Sequence, residues 1–372
     1  MRFTCIKSDL IKALSNTSRV AAAKNSIAAL DGVLIKAYDN KLNISGYNLE
    51  IGITTDIDAK IQTEGEIVVS AKLFLDIVRR LPEEIVMIEV DERMVTYITC
   101  GNVNYQIVGM SPKEYPELPT FEQTESITVN AKILCEMIRQ TVYAVSENTA
   151  KPIFTGSLFE IENGKFKIIA VDGYRMAIRE ENINCESKTS FVVPGKTQQE
   201  VLKLAAESDE NIEISVGQRH IAFKIGNYRV ISRLVEGTFL NYNSAIPKES
   251  KTEAVINKRT LVDALERMAL LTNTKLQTPT RALFATPQND DEIDFYCSSS
   301  IGKASETLSV KFDGEAVEIG FNNRYMLDAL KNTDTDEVRL ILNGPTSPII
   351  IKPVKGNSFL CFVLPMQLQG AK

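Results

Sequence analysis

The segment AKLFLDIVRRL, Ala71 to Leu81, sets apolar residues at helical spacing with one carboxylate, Asp76, among them. The same plan returns as GKTQQEVLKLA from Gly195, with Glu200, and as NRYMLDALKN from Asn323, with Asp328. An earlier helical segment precedes each one: Leu10, Ile11, Leu14; Ile133, Leu134, Met137; Leu261, Val262, Leu265. The three carboxylates stand 66, 67 and 67 residues beyond Leu10, Ile133 and Leu261. Between the helices, alternating apolar runs break at Asp39-Asn40, Asn163-Gly164 and Asn289-Asp290, which begin 29, 30 and 28 residues from the same origins. Of these, Asn163-Gly164 is the strong two-residue hairpin signal. Further alternating runs from Ile85, Ile212 and Val338 lead to Gly-Asn turns at Gly101, Gly226 and Gly356.

Four landmarks in one order at nearly constant spacing, three times over, imply three copies of one domain. Short hairpin turns without alternating βα units make each copy α+β, with two helices and antiparallel sheets. The expected domains are residues 1–120, 126–245 and 252–372, joined by polar, proline-bearing linkers.

Composition excludes several classes. The chain of 372 residues is 44% hydrophobic and 24% charged, an ordinary globular balance. No run approaches the roughly 18 apolar residues of a membrane span, and the start, Met1 to Asp9, lacks the apolar core of a secretion signal, so the cytoplasm is the expected compartment. Six scattered cysteines offer neither a disulfide framework nor a zinc knuckle. His220 is the only histidine and has no serine or cysteine nearby to activate. Phosphate-loop, dinucleotide, zinc-protease and serine-hydrolase motifs are all absent, so an enzyme is disfavoured and no cofactor or metal is expected.

The net charge of −6 would by itself disfavour nucleic acid, yet its distribution reverses that reading. Helical windows 7–20, 71–80, 130–145, 195–206, 257–272 and 323–331 hold 15 Lys or Arg against 7 acids, and every window is net positive. The helices therefore carry +8 and the remainder −14. A positive helical lining within an acidic shell suits sequence-independent contact with phosphates.

The threefold repeat, the segment Val171-Asp172-Gly173-Tyr174-Arg175-Met176-Ala177 and the ending Val363-Leu364-Pro365-Met366-Gln367-Leu368 together resemble the bacterial DNA polymerase III beta subunit family, the sliding clamps, over the whole chain. The resemblance implies three tandem clamp domains per chain and a head-to-tail homodimer forming a pseudo-sixfold ring. Such a ring encircles double-stranded DNA without sequence preference and confers processivity by topology, with no catalysis of its own. Implied partners are the replicative polymerase catalytic subunit, the clamp loader, and other polymerases and repair factors that carry a clamp-binding peptide; no membrane is involved.

The family's peptide cleft, carried over by aligned position, falls on Phe154, Val171, Gly173, Tyr174, Arg175, Met176, Leu240 and Ala245, and on Leu276, Asn322, Tyr325, Thr346, Pro348, Phe362, Val363, Leu364, Pro365, Met366, Gln367 and Leu368. This chain departs from the usual pattern at Tyr174, commonly histidine, and at Val171, Leu240, Ser244 and Gln367. An apolar floor with a few donors suits an extended peptide with aliphatic and aromatic anchors. Lys24, Arg79, Arg80, Arg139, Lys151, Lys196 and Lys203 are the expected DNA contacts. Ring closure is expected through edge strands near Val103–Val108 and Ala304–Ser309, with Ile77, Tyr105, Leu270 and Leu271 as apolar contacts. The rival reading is a peptide-binding adaptor with a basic face that never encircles DNA.

Overall fold

A computed structural model describes residues 1–21, 27–185, 187–206, 208–247, 249–272, 278–286 and 289–368. The described residues form six α-helices: α1 (Lys7–Thr17), α2 (Ala71–Arg79), α3 (Ala131–Arg139), α4 (Gly195–Ala205), α5 (Lys258–Thr272) and α6 (Asn323–Lys331). Two helices fall in each sequence repeat, among strands that pair antiparallel throughout. Two helical windows end sooner than read from the sequence. Helix α1 stops at Thr17, and α3 stops at Arg139, ahead of a separate 3-10 turn at Val142–Ala144.

A repeated threonine marks the ends of the first helices. Thr17, Thr141 and Thr272, all buried, donate to the carbonyls of Ala13, Met137 and Met268 four residues back. Such back-bonding lets a hydroxyl be buried at a helix end without an unmet donor.

The chain divides into two compact units, residues 1–135 with 196–234, and residues 136–195 with 235–372. The first holds a twelve-stranded sheet, in which strand Ile51–Thr63 links two repeats. Its latter half pairs with Arg2–Ile6, whereas its first residues pair with Tyr228–Arg233 of the second repeat, Ile53 facing Val230. Phe3, Leu10, Leu14, Phe74, Val78 and Ile98 build the first-repeat core beneath α1 and α2.

The second unit holds a nine-stranded and a five-stranded sheet. Here Arg175–Asn182 of the second repeat pairs with Phe359–Val363 of the third, Met176 facing Phe362. The third-repeat core gathers Leu265, Met268, Phe284, Phe295, Phe321, Leu330 and Ile351 around α5 and α6.

The sequence turns form as two-residue hairpins at Asp39-Asn40 (φ 47° and 57°) and Asn163-Gly164 (φ 53° and 73°). The third differs: Asn289 opens strand Asn289–Ser299 and pairs with Thr286, so Asn289-Asp290 belongs to a strand rather than a turn. Polar composition alone does not separate a turn from a strand.

Strand Lys41–Tyr47 passes so close to the end of α1 that a Cβ on Gly46 would collide with the Thr17 carbonyl oxygen. Gly46→Ala should destabilise the first repeat by about 1–3 kcal/mol, the usual range for overpacking. Hydrogen exchange of first-repeat amides under mild urea reads this; unchanged protection of the Leu10 and Leu14 amides would contradict it.

Candidate functional site

Asp172, Gly173 and Tyr174 connect strands Lys165–Val171 and Arg175–Asn182. The Asp172 carboxylate accepts from the backbone N–H of Tyr174 (2.9 Å) and Arg175 (3.0 Å), and Gly173 takes φ +95°, where a side chain would be strained. The Leu364 N–H donates to the Tyr174 carbonyl at 2.8 Å, stitching the turn to the segment after the last long strand.

The turn aims the Arg175 side chain inward, where only 8% of it is exposed. Its guanidinium donates to Asp172 (2.9 Å), to Asp328 of α6 (2.5 Å) and to the Tyr143 carbonyl (2.7 Å). It also lies 4.4 Å from the ring centre of Tyr325 and 5.4 Å from that of Tyr143. Tyr174 stacks on the Tyr325 ring at 6.3 Å and 26° and is itself 63% exposed. Burial opposes the Arg175 charge, but Asp328 and Asp172 outweigh it and hold the guanidinium above its usual pKa. Burial pushes the Tyr143 phenol well up, beside the Cys361 thiol, which burial raises to about 12. Neither group is an acid or base at neutral pH.

Beside this stack lies an apolar cluster. Val171, Met176, Ile341, Ile350 and Phe362 are buried in it, with Phe154, Phe239, Leu240 and Ile246 half-buried along its margin. Phe154 meets Phe239 edge to face at 6.0 Å. The sequence-predicted residues thus fall into two groups, Phe154, Val171, Met176, Leu240 and Phe362 in the cluster and Gly173, Tyr174, Arg175 and Tyr325 at the stack. Val171, Met176 and Phe362 form a floor, and the margin supplies the accessible surface.

The others have different surroundings. Pro365 and Met366 form a short strand facing Phe321 and Gly320, and the Leu368 side chain covers Gly320. Val363 is buried, Leu364 and Gln367 are exposed, and Asn322 caps α6 by accepting from the Tyr325 N–H at 3.3 Å. Ala245 and Thr346 are exposed and Pro348 half-buried, in neither group, while Leu276 lies outside the described residues. The sequence reading left out Tyr143, Phe239 and Ile246 as site residues; Phe239, beside Leu240 in the linker, carried the one readable signal.

In the first unit, Arg79 on α2 donates to Ser15 of α1 at 3.1 Å, and Arg19, beyond α1, pairs with Glu200 of α4 at 2.8 Å. These contacts bring three helices into one layer. Arg80, Lys196 and Lys203 pair there with Asp76 (3.4 Å), Glu50 (3.9 Å) and Glu200 (2.8 Å). In the second unit Arg139 pairs with Asp334, and Lys151 lies 5.9 Å from the Phe154 ring centre, at the cleft margin. Lys24 lies outside the described residues.

Among the described residues Val103–Val108 ends the twelve-stranded sheet and Gly302–Ser309 ends the five-stranded one, each with one edge unpaired. Tyr105 and Val108 are exposed on the former, Val108 by 80%; Leu270 (79%) and Ile301 are exposed near the latter, where Leu271 packs against Gly302. Ile77 does not fit its expected role. It is 6% exposed and belongs to the first-repeat core, whereas Leu73, one helical turn earlier, faces outward.

Among the described residues no group of three or more His, Cys, Asp or Glu could hold a metal, and no helix is long and apolar enough to cross a membrane. Tandem α+β repeats joined strand to strand, with an apolar cluster at one joint and cation-bearing helices, define a clamp class of protein. Residues 1–119, 128–241 and 243–367 match in turn the N-terminal, central and C-terminal domains of the DNA polymerase III beta subunit. The chain belongs to that family, the beta sliding clamps, and functions as a non-catalytic processivity subunit of DNA polymerase III.

Its relatives include the beta sliding clamp of Bacillus subtilis, 30% identical over 99% of this chain and 100% of that one. That of Synechococcus elongatus is 30% identical over the full length of both. A crystal structure of the Bacillus subtilis clamp superposes with a TM-score of 0.94 at 30% identity, covering 99% of this chain and 100% of that one. The beta subunit of Streptococcus pyogenes gives 0.93 at 25% identity, with the same coverage.

The Arg175 network yields a graded prediction. Arg175→Ala strands two carboxylates and should cost about 3–5 kcal/mol, the range for breaking a buried pair. Asp328→Ala, which leaves Arg175 its Asp172 partner, should cost clearly less. Denaturant unfolding followed by tyrosine fluorescence compares them, and equal costs would mean that Asp172 does not share the charge.

Proposed function

We propose that two of these chains close head to tail into a ring around duplex DNA, and that the cleft beside Arg175 receives the peptides of its partners. One observation carries the ring. Tyr228–Arg233 and Phe359–Val363, the last long strands of the second and third repeats, each pair with the repeat before, at Ile51–Thr63 and Arg175–Asn182. Val103–Val108 is the corresponding last strand of the first repeat and, among the described residues, pairs only with Val95–Cys100. Gly302–Ser309 is the third-repeat counterpart of Ile51–Thr63 and Arg175–Asn182 and, among the described residues, pairs only with Asn289–Ser299. The two free edges are therefore complementary by the rule that joins the repeats within the chain, and pairing them between two chains removes both.

Helix cations in exposed pairs would contact phosphates without reading bases, consistent with sliding. Arg79, Arg80, Arg139, Lys196 and Lys203 serve this role, with Lys24 and Lys151 as further contacts. The replicative polymerase catalytic subunit, the clamp loader, and other polymerases and repair factors would dock extended peptides across the Phe154, Leu240 and Tyr174 margin, in the cytoplasm. A peptide-binding adaptor would share the cleft but has no use for two complementary edges.

Replacing Leu270 and Leu271 together by alanine should give monomers in sedimentation velocity at submicromolar concentration; a variant that stays dimeric would remove these residues from the interface.

The ring itself is tested by retention. After loading onto nicked circular plasmid by a clamp loader, the protein should survive high salt on the circle and run off once the circle is cut. Equal, salt-sensitive loss from both, with loading verified, would favour the adaptor.

A further inference from the structure

Three turns share one plan. Asn48, Asp172 and Ser299 each accept, through a side-chain oxygen, the backbone N–H two residues on, from Glu50 (3.0 Å), Tyr174 (2.9 Å) and Ile301 (3.4 Å). A strand starts three residues beyond each, at Ile51, Arg175 and Gly302. At the two internal joints the carbonyl just before that strand accepts from the incoming repeat: Glu50 from the Arg233 N–H at 3.0 Å, Tyr174 from the Leu364 N–H at 2.8 Å. Three residues before each donor, one enclosed side chain faces another, Val230 opposite Ile53 and Cys361 opposite Ala177, all with 0% exposure.

The two unpaired edges carry the same parts. Val108 lies seven residues beyond Gly101, as Arg233 lies beyond Gly226, and both hairpins close on two residues. The Gly109 N–H donates inward to the Met94 carbonyl at 2.8 Å, so the Val108 N–H points outward. On the other edge the Val310 N–H donates inward to Asp291 at 2.9 Å, which leaves the carbonyls of Ile301 and Lys303 outward. Tyr105, three residues before Val108, is 39% exposed where Val230 and Cys361 are enclosed. Ala304, at the register of Ile53 and Ala177, is half-buried against the third-repeat core. The helix ends match as well. Across the second joint Arg139 and Gln140, just before Thr141, donate to Asp334, six residues beyond Asp328. At those registers Leu270 and Leu271 stand before Thr272, and Pro82 stands six residues beyond Asp76. Leu270 and Pro82 are both exposed, an apolar pair where the internal joint has an ionic one.

We propose that a second copy of this chain joins the two edges in the register of the internal joints. The Val108 N–H then meets the Ile301 carbonyl of that copy, Gln106 lies opposite its Lys303, Tyr105 covers its Ala304, and its Leu270 rests on Pro82. This rests on the ring reading above and adds to it which residue meets which. The Tyr105 ring needs a small neighbour, and the Ala304 methyl leaves room for it. A shift of two residues would set the ring against bare Gly302, or against Glu306, whose carboxylate is held by Arg267.

Cysteine pairs read the register. Gln106→Cys with Lys303→Cys places two thiols on a hydrogen-bonded pair, about 5.5 Å between Cα atoms, within the span of a disulfide. Gln106→Cys with Ile301→Cys, or with Ser305→Cys, places them on a diagonal of about 7–8 Å. Each of these positions is exposed, so the fold should be kept. After mild oxidation and non-reducing electrophoresis, with the unmodified protein as background, the first variant should give at least tenfold more covalent dimer than the other two. Sedimentation velocity separates this result from the ring reading. A monomeric unmodified protein would remove the ring itself, and the register with it. Dimers that cross-link best in a shifted variant, or in none, would overturn the register and leave the ring standing. Pro82→Asp should raise the dimer dissociation constant at least tenfold with an unchanged circular dichroism spectrum; unchanged dimerisation would overturn the helix contact.

Discussion

Every repeat must hand a strand edge to its neighbour, and this backbone constraint orders the rest of the molecule. Tyr228–Arg233 lies along Ile51–Thr55 and Phe359–Val363 along Arg175–Arg179. Each hydrogen bond contributes only about 1 kcal/mol net, but the ladder fixes register. Slipping the first joint by one residue would bring Arg229 in place of Val230 opposite the buried Ile53 and turn every side chain to the wrong face. The joints are thus specified by alternation and strand edges.

A second device accompanies each ladder. The carboxylate at the shared register of the second helix reaches back to the preceding repeat: Glu200 to Arg19, Asp328 to Arg175. Asp76 instead pairs locally, with Arg80 at the end of its own helix. The two reaching pairs differ in depth. At the first joint Ile51, buried and neutral, stands where Arg175 stands at the second, so only the second carries a buried ion cluster sandwiched between aromatic rings. A buried charge cluster is weak evidence for stability but well suited to fixing one arrangement. Here it fixes the orientation of Tyr325, and through it of Tyr174, at the mouth of the cleft.

Much of this was legible because the repeat supplied three independent readings of each landmark. The helix register and the glycine-asparagine turns follow from spacing, whereas the edge strands near Val103–Val108 and Ala304–Ser309 came only from the family resemblance. Asn289-Asp290 escaped because polar residues in a strand carry the same composition as a turn. Ile77 escaped because a helical stripe does not reveal which of its apolar members faces the core, and Leu73, offset by one turn, carries the exposed side chain. Asp328 was visible as a repeated carboxylate but not as the partner of Arg175, 153 residues away. Pairing between distant charges is set by the joint's geometry and leaves no trace in local pattern.

The energetics of the helix cations follow from the same contrast. Arg80 and Lys196 hold partners at exposed positions, where an ion pair contributes at most about 1 kcal/mol and is screened by salt. On the proposed reading, exchanging such a partner for a phosphate oxygen, and later for the next one, would change the free energy little, so no register along a duplex would be favoured over its neighbour. Arg175 shows what the alternative would be: a desolvated guanidinium held by two carboxylates does not exchange. A clamp that must hold DNA without arresting on it needs shallow, interchangeable charge on its helices and confines deep, fixed charge to a joint between repeats.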